Sequence, residues 1–85
     1  MSKKIEIYTW DTCPFCQRAL ALLNSKGVNF EQHKIDGDNE TRTKISEKSG
    51  KTSVPQIFVD DVFIGGCDEV HALNDAGTLD AILGL

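Results

Sequence analysis

Residues 5–35 of this 85-residue chain decide its fold, and they read IEIYTWDTCPFCQRALALLNSKGVNFEQHKI. Ile5 to Thr9 alternate in character and are β-branched or aromatic at most positions, which predicts a strand. From Pro14 to about Ser25 the apolar residues recur at helical spacing, and Gly27 follows where a left-handed cap is expected. Val28 to Ile35 again has strand character. The stretch therefore predicts a βαβ unit with parallel strands and a right-handed crossover.

After this unit, turn residues divide the chain into a helix, an antiparallel hairpin and two closing helical segments. They are predicted at Glu40–Ser49, Gln56–Val59, Val62–Ile64, Cys67 to about Ala76, and Leu79–Leu83. Ile45 is the one large apolar residue of the first helix, so we expect that helix to pack only slightly. The order βαβ, α, ββ, α predicts an α/β sheet of about four strands with helices on its faces.

Length and charge exclude several classes of protein. The chain is short enough that residues 1–85 are expected to form one domain. Thirteen acidic residues against nine basic ones give a net charge of −4, without the basic footprint that nucleic acids or anionic membranes require. The longest apolar run, Ala19 to Leu23, is far shorter than a membrane span, and no signal-type stretch follows Met1. We therefore expect a cytoplasmic protein.

Two of the three cysteines, Cys13 and Cys16, are separated by only two residues. As a structural disulfide this pair would close a very small loop and would stabilise the fold only slightly. Zinc usually takes four ligands, and beyond this pair the chain offers only the spacing Cys67-x-x-x-His71. Inert buried cysteines are also disfavoured, because Pro14 marks the start of a helix rather than its interior. Redox chemistry is the favoured interpretation, and no metal is expected.

The position of Pro14 predicts different roles for the two sulfur atoms. Proline suits the first helical position, so Cys13 falls at the N-cap and Cys16 one turn inside. The Cys13 sulfur can then accept hydrogen bonds from the amides of Phe15 and Cys16, and the helix dipole favours an anion there. We therefore expect Cys13 to be a thiolate that attacks disulfides and also leaves readily, and Cys16 to be a buried, ordinary thiol.

Three spaced motifs make the chain resemble the dithiol glutaredoxins over nearly its whole length. They are Thr12-Cys13-Pro14-Phe15-Cys16 with the preceding Tyr8-Thr9, Ser53-Val54-Pro55-Gln56-Ile57-Phe58, and Ile64-Gly65-Gly66-Cys67-Asp68-Glu69. The resemblance implies a thioredoxin-like fold, a four-stranded mixed sheet with helices on both faces, and glutathione as co-substrate. Thioredoxin itself matches less well, because it carries Trp-Cys-Gly-Pro-Cys and lacks the Gly-Gly-Cys-Asp stretch.

The resemblance also implies site residues. Cys13 resembles the family nucleophile and Cys16 its resolving thiol, the two forming the redox-active disulfide. The glutathione-binding positions carried over are Phe15, Arg42, Ser53, Val54, Pro55, Cys67, Asp68 and Glu69.

Within that set, Pro55 looks like the cis-proline that turns the Val54 backbone toward glutathione as an added strand does. The segment Cys67–Glu69 resembles the one that binds the γ-glutamyl end, where helix-start amides suit a carboxylate. Arg42 aligns with a position that approaches the glycyl carboxylate. An ordinary turn proline, simple helix capping and a solvated helix charge remain the respective alternatives.

One residue departs from the family pattern. Trp10 stands three positions before Cys13, where the family commonly has a lysine that assists the glycyl carboxylate. We expect Trp10 to flank the groove and Arg42 to make more of that contact. Cys67 is expected to be a small buried side chain or a secondary oxidation site. His33 and His71 are not needed, because the helix terminus activates Cys13.

The expected activity is that of a monomeric, glutathione-dependent thiol–disulfide oxidoreductase. Its expected partners are glutathione and proteins that are glutathionylated or contain disulfides. The alternative is a binding module, in which two copies hold a [2Fe–2S] cluster through Cys13 and two glutathione thiols. Cluster-binding relatives usually have a small residue after the first cysteine, where this chain has Pro14. Visible absorbance of anaerobically purified protein distinguishes the two.

Overall fold

A computed structural model describes residues 3–85 and shows a four-stranded mixed sheet with helices on both faces. The strands lie in the order β2-β1-β3-β4. In chain order the elements are β1 (Ile5–Thr9), α1 (Pro14–Ser25), β2 (Glu31–Lys34), α2 (Asn39–Ser49), β3 (Gln56–Val59), β4 (Val62–Gly65), α3 (Cys67–Asp75) and α4 (Leu79–Leu83). The predicted fold class and order of elements are confirmed.

Strand β1 lies inside the sheet and pairs on both sides. It runs parallel to β2, with Glu6 opposite Glu31 and Tyr8 opposite His33. It runs antiparallel to β3, which in turn pairs with β4 as a hairpin. The βαβ unit and the hairpin are therefore joined through β1, and its carboxyl end leads directly into the Cys13 loop.

The main core lies between the sheet and the helices α1, α3 and α4. Because side chains alternate along a strand, Ile5 and Ile7 of β1 face these helices. They meet Leu23 of α1, Val70 of α3 and Leu79 of α4, all of them buried. This layer buries the apolar stripe of α1. It therefore fixes the position of that helix, including its first residues, relative to β1.

The opposite face of the sheet is covered by α2 alone. Ile45 is its one buried residue, and it packs with Ile35 and Phe58 in a small second cluster. This agrees with the expectation that α2 packs only slightly. Both ends of the helix are capped locally. The Asp38 side chain accepts a hydrogen bond from the Thr41 amide at 3.1 Å, and Gly50 takes a left-handed conformation.

The predicted boundaries differ from the observed ones mainly at β2. The strand was expected over Val28–Ile35 but is paired only over Glu31–Lys34. Val28 and Phe30 instead lie in the connection after α1 and pack against the main core. Their apolar character reflects that packing rather than strand pairing. No helix within residues 3–85 has both the length and the apolar character needed to cross a bilayer.

We predict that Ile45→Ala destabilises the fold by about 2–4 kcal/mol, because it removes the one buried side chain by which α2 packs on the sheet. Chemical denaturation followed by circular dichroism measures this. Val62→Ala is the control, since Val62 is 63% exposed and its truncation should change the free energy of unfolding by less than about 0.5 kcal/mol. Similar effects of the two changes would contradict the anchoring role of Ile45.

Candidate active site

The Cys-Pro-Phe-Cys segment lies where the chain leaves β1 and enters α1. Pro14 occupies the first helical position and Cys13 is the N-cap, with extended backbone angles. The Cys13 sulfur accepts a hydrogen bond from the Cys16 amide at 3.2 Å. This confirms the predicted N-cap geometry, although the corresponding contact from the Phe15 amide does not occur among residues 3–85. The helix start thus offers its partial positive charge to the Cys13 sulfur.

The two thiols differ sharply in their surroundings. Cys13 is partly exposed, whereas Cys16 is only 1% exposed. Burial raises the pKa of the Cys16 thiol to about 12, with a smaller upward contribution from the hydrogen bond it makes to Cys13, while a backbone hydrogen bond from Trp10 acts in the opposite direction. Cys16 is therefore a protonated thiol at neutral pH.

A second wall of the site is the loop that precedes β3. The Val54–Pro55 peptide bond is cis, as the resemblance implied. The buried Gln56 side chain holds this loop from below, because its Nε2 donates to the carbonyl oxygens of Lys51 at 3.0 Å and Ser53 at 2.9 Å. The Gln56 Oε1 atom is buried and, among the described residues, accepts no hydrogen bond.

The third wall is the start of α3, which two glycines bring close to the loop. A Cβ on Gly66 would lie 3.0 Å from the Pro55 carbonyl oxygen, so a side chain there would push the two segments apart. Gly65 has φ +136°, and a Cβ there would collide with the Glu69 side chain. Gly66 caps α3 without a side-chain hydrogen bond. The first amides of α3 therefore lack a capping side chain.

An open groove of about 320 Å³ lies between these three walls. Seven of the eight residues expected to bind glutathione line it, namely Phe15, Ser53, Val54, Pro55, Cys67, Asp68 and Glu69. Lys51, Gln56, Phe63 and Gly66 also line it and were not foreseen. Of these, Gln56 and Gly66 lie within the motifs that carry the resemblance, and that membership is the signal that could have indicated them. Cys13 and Cys16 are not among the lining residues, and Phe15, which lies between them in sequence, is the part of the dithiol segment that borders the groove.

Arg42, the eighth expected residue, does not line this groove. Its guanidinium donates to the Thr52 carbonyl oxygen at 3.2 Å and lies over the Trp10 ring at 5.4 Å. Trp10 is likewise absent from the groove wall, although we expected it to flank the groove. The two side chains form a cation–π pair, an arrangement that is attractive because the ring face is negative. Arg42 thereby joins α2 to the loop that carries the second wall.

Cys67 is buried at the first position of α3, and burial raises the pKa of its thiol. This agrees with its expected role as a small buried side chain. His71 is partly buried on the same helix, and its Nε2 atom is enclosed without a hydrogen-bond partner in the described part of the chain. Among the described residues, no hydrogen bond joins either side chain to the Cys13 sulfur.

Comparison with known proteins identifies the family. A family model described as Glutaredoxin matches residues 5–64. A probable glutaredoxin of Synechocystis is 61% identical over 84 residues, which cover 98% of this chain and 96% of the relative. The solution structure of a dithiolic glutaredoxin from Trypanosoma brucei brucei matches with a TM-score of 0.86 and 34% identity, covering 95% of this chain and 87% of that one.

A more distant structure, a buckwheat glutaredoxin–glutathione complex, shares the fold with a TM-score of 0.89 at 22% identity, covering 96% of this chain and 77% of that one. The family match spans the Cys13–Cys16 segment and the cis-proline loop, and Phe15 of the first and Pro55 of the second line one groove. The chain therefore belongs to the glutaredoxin family of thiol–disulfide oxidoreductases.

Proposed function

We propose that this protein is a glutathione-dependent oxidoreductase that uses Cys13 as nucleophile on glutathionylated proteins, small mixed disulfides and protein disulfides. The observation that carries the proposal is the contrast between the two thiols. The Cys13 sulfur is capped by an amide at 3.2 Å and partly exposed, while Cys16 is buried behind it. We place the protein in the cytoplasm as a monomeric single domain whose partners are glutathione and its disulfide substrates.

In the first step, the Cys13 thiolate attacks one sulfur of the substrate disulfide. The substrate S–S bond breaks, a Cys13 mixed disulfide forms, and the other substrate sulfur leaves as a thiolate that takes a proton from solvent. The helix-start position makes Cys13 a good leaving group later, because the amide that caps its sulfur favours the anion. The attack and the subsequent release therefore use the same interaction.

The mixed disulfide is resolved by one of two thiols. A glutathione thiolate can attack the glutathione sulfur, which gives glutathione disulfide and regenerates the Cys13 thiolate. Alternatively, Cys16 loses its proton and attacks the Cys13 sulfur, which releases the bound thiol and forms the Cys13–Cys16 disulfide. Burial is the largest cause of the raised pKa of Cys16 and persists in the mixed disulfide, whereas the smaller upward contributions of the Cys13 thiol are lost once Cys13 is bonded to the substrate.

We assign the groove to glutathione. The Val54 backbone suits pairing with the cysteinyl part as an added strand, and the uncapped α3 amides suit the γ-glutamyl carboxylate. Asp68 and Glu69, in the first turn of α3, suit its ammonium group. Arg42 remains our proposed partner for the glycyl carboxylate and would have to approach from the Trp10 side. The buckwheat protein, which shares this fold, was solved with glutathione.

The alternative of a cluster-bridged dimer would use the same Cys13. Pro14 stiffens the backbone next to that sulfur, because its ring fixes φ. This stiffness disfavours the cluster-bridged dimer, and for that reason we favour the redox cycle of a single protein molecule.

The division of roles predicts different losses for two serine variants. Cys13→Ser should abolish all activity, because the other two cysteines, Cys16 and Cys67, are buried. Cys16→Ser should retain deglutathionylation and lose most reduction of protein disulfides. Glutathione-coupled assays on a glutathionylated peptide and on a protein disulfide measure the two activities. Equal losses in both variants would overturn the assignment.

The raised pKa of Cys16 predicts selective alkylation. A thiol with a pKa of about 12 has about 1,000-fold less thiolate at pH 8 than one with the ordinary value of about 9. Iodoacetamide at pH 7–8 should therefore modify Cys13 once and leave Cys16 and Cys67 intact, as peptide mapping by mass spectrometry would show. Because deprotonation increases as pH rises, Cys16 should become reactive only in strong base. Modification of Cys16 at neutral pH would contradict its assigned protonation.

The proposed glycyl contact predicts a binding defect. Arg42→Ala should raise KM for a glutathione mixed disulfide about threefold to tenfold with kcat little changed, because it removes a charge-assisted hydrogen bond of about 1 kcal/mol at an exposed site. Lys44→Ala is the matched control, since this exposed lysine lies on the same helix and pairs with Glu40 at 3.6 Å. An unaltered KM in Arg42→Ala would refute the contact.

A further inference from the structure

We propose that Glu6, Glu31 and His33 form a binding site for a divalent transition-metal cation of the Zn²⁺ class, separate from the dithiol. Their ligand atoms all lie within 4.8 Å of one another. His33 Nε2 is 3.0 Å from Glu6 Oε2 and 3.6 Å from Glu31 Oε2. The cysteine spacing predicted no metal, and this cluster uses none of the cysteines.

Strand pairing holds the three side chains together. Glu6 lies opposite Glu31 in the parallel register, and Tyr8 lies opposite His33. Residues two apart on a strand share a face, so all three ligands stand on the face that also carries α2. The His33 ring stacks on Tyr8 with centroids 4.8 Å apart, which fixes the direction of its Nε2. The ligand set therefore rests on rigid strands rather than on loops.

The charges of the cluster favour the binding of a cation between the three side chains. Two carboxylates converge on one imidazole nitrogen, which carries at most one proton and cannot serve both oxygens equally. Glu6 is only 7% exposed, and a carboxylate buried to this extent needs compensation. Lys4 Nζ lies 3.7 Å from the other oxygen, Oε1, and its side chain is 58% exposed. Glu6 Oε2 thus remains directed at His33 and the Tyr8 hydroxyl.

The spacing of the ligand atoms suits a small tetrahedral ion. Zinc bonds of about 2.0–2.2 Å to nitrogen and oxygen place neighbouring tetrahedral ligands about 3.3 Å apart. The observed separations from His33 Nε2, 3.0 and 3.6 Å, bracket that value. Only the Glu31 side chain, which is 63% exposed, has to move closer. Three protein ligands leave a fourth position for water, as in open zinc sites.

Binding requires no redox change and only a rearrangement of one proton. The His33 Nε2 lone pair must face the metal, so a neutral imidazole carries its proton on Nδ1 in the bound state. Because the ion binds the folded arrangement of two strands, it should stabilise the native state by mass action. The site would thus tie the edge strand β2 to β1.

The test uses the Cys13→Ser/Cys16→Ser protein, so that thiolates do not compete, with Zn²⁺ as the probe in calorimetric titration. We expect one Zn²⁺ per chain and an increase in Tm on adding Zn²⁺. His33→Gln and Glu31→Gln should each weaken binding at least about tenfold and abolish the Tm increase. Both replaced side chains are partly or largely exposed, and circular dichroism without metal verifies that the variants fold.

Matched controls separate this site from general surface binding. His71→Gln removes the other histidine, and Glu47→Gln removes an exposed carboxylate on α2. Both should bind Zn²⁺ within about twofold of the parent. Co²⁺ added to the same protein should give visible ligand-field bands without thiolate charge transfer. Absence of saturable binding, retention of binding in His33→Gln, or equal loss in His71→Gln would each overturn the site.

Discussion

The hydrogen bond from the Cys16 amide to the Cys13 sulfur is the interaction on which the redox site depends. It exists because Pro14 starts a helix without needing an amide partner of its own, and because the main core fixes the position of that helix against β1. The bond directs the positive end of α1 at one sulfur. In the proposed function the groove walls determine which disulfide reaches that sulfur.

The same short segment makes two chemically identical side chains unequal. One turn of helix carries Cys16 from the partly exposed loop into the interior, where it is 1% exposed. Burial favours the neutral form of Cys16, while the Cys13 sulfur accepts a hydrogen bond from the Cys16 amide at the helix start. In the proposed mechanism this inequality sets the order of events: Cys13 attacks the first disulfide, and Cys16 acts only on the sulfur–sulfur bond that then lies beside it.

Local patterns were sufficient for most of the fold, whereas the groove residues were predicted from the resemblance to the dithiol glutaredoxins. Alternation in β1, the helical spacing of α1 and the glycine punctuation are local signals, and the elements they predicted are present. Tertiary packing determined the features that these patterns did not predict, namely the bounds of β2 and the position of Arg42. Val28 and Phe30 are apolar because they contact the core, so composition alone extended β2 too far. The Arg42–Trp10 pair joins residues far apart in sequence, and no local pattern reports such a contact.

The sheet keeps its two faces chemically separate, and β1 shows how. Ile5 and Ile7 face the helices that support the dithiol, while Glu6 and Tyr8 face α2 and contact His33. With a side-chain period of two, a polar residue on one face leaves the packing of the other unchanged. Charged groups can therefore gather around His33 without weakening the layer that positions α1. A central strand with one apolar face and one polar face can thus support the thiol chemistry at its end and hold an ionic cluster along its length.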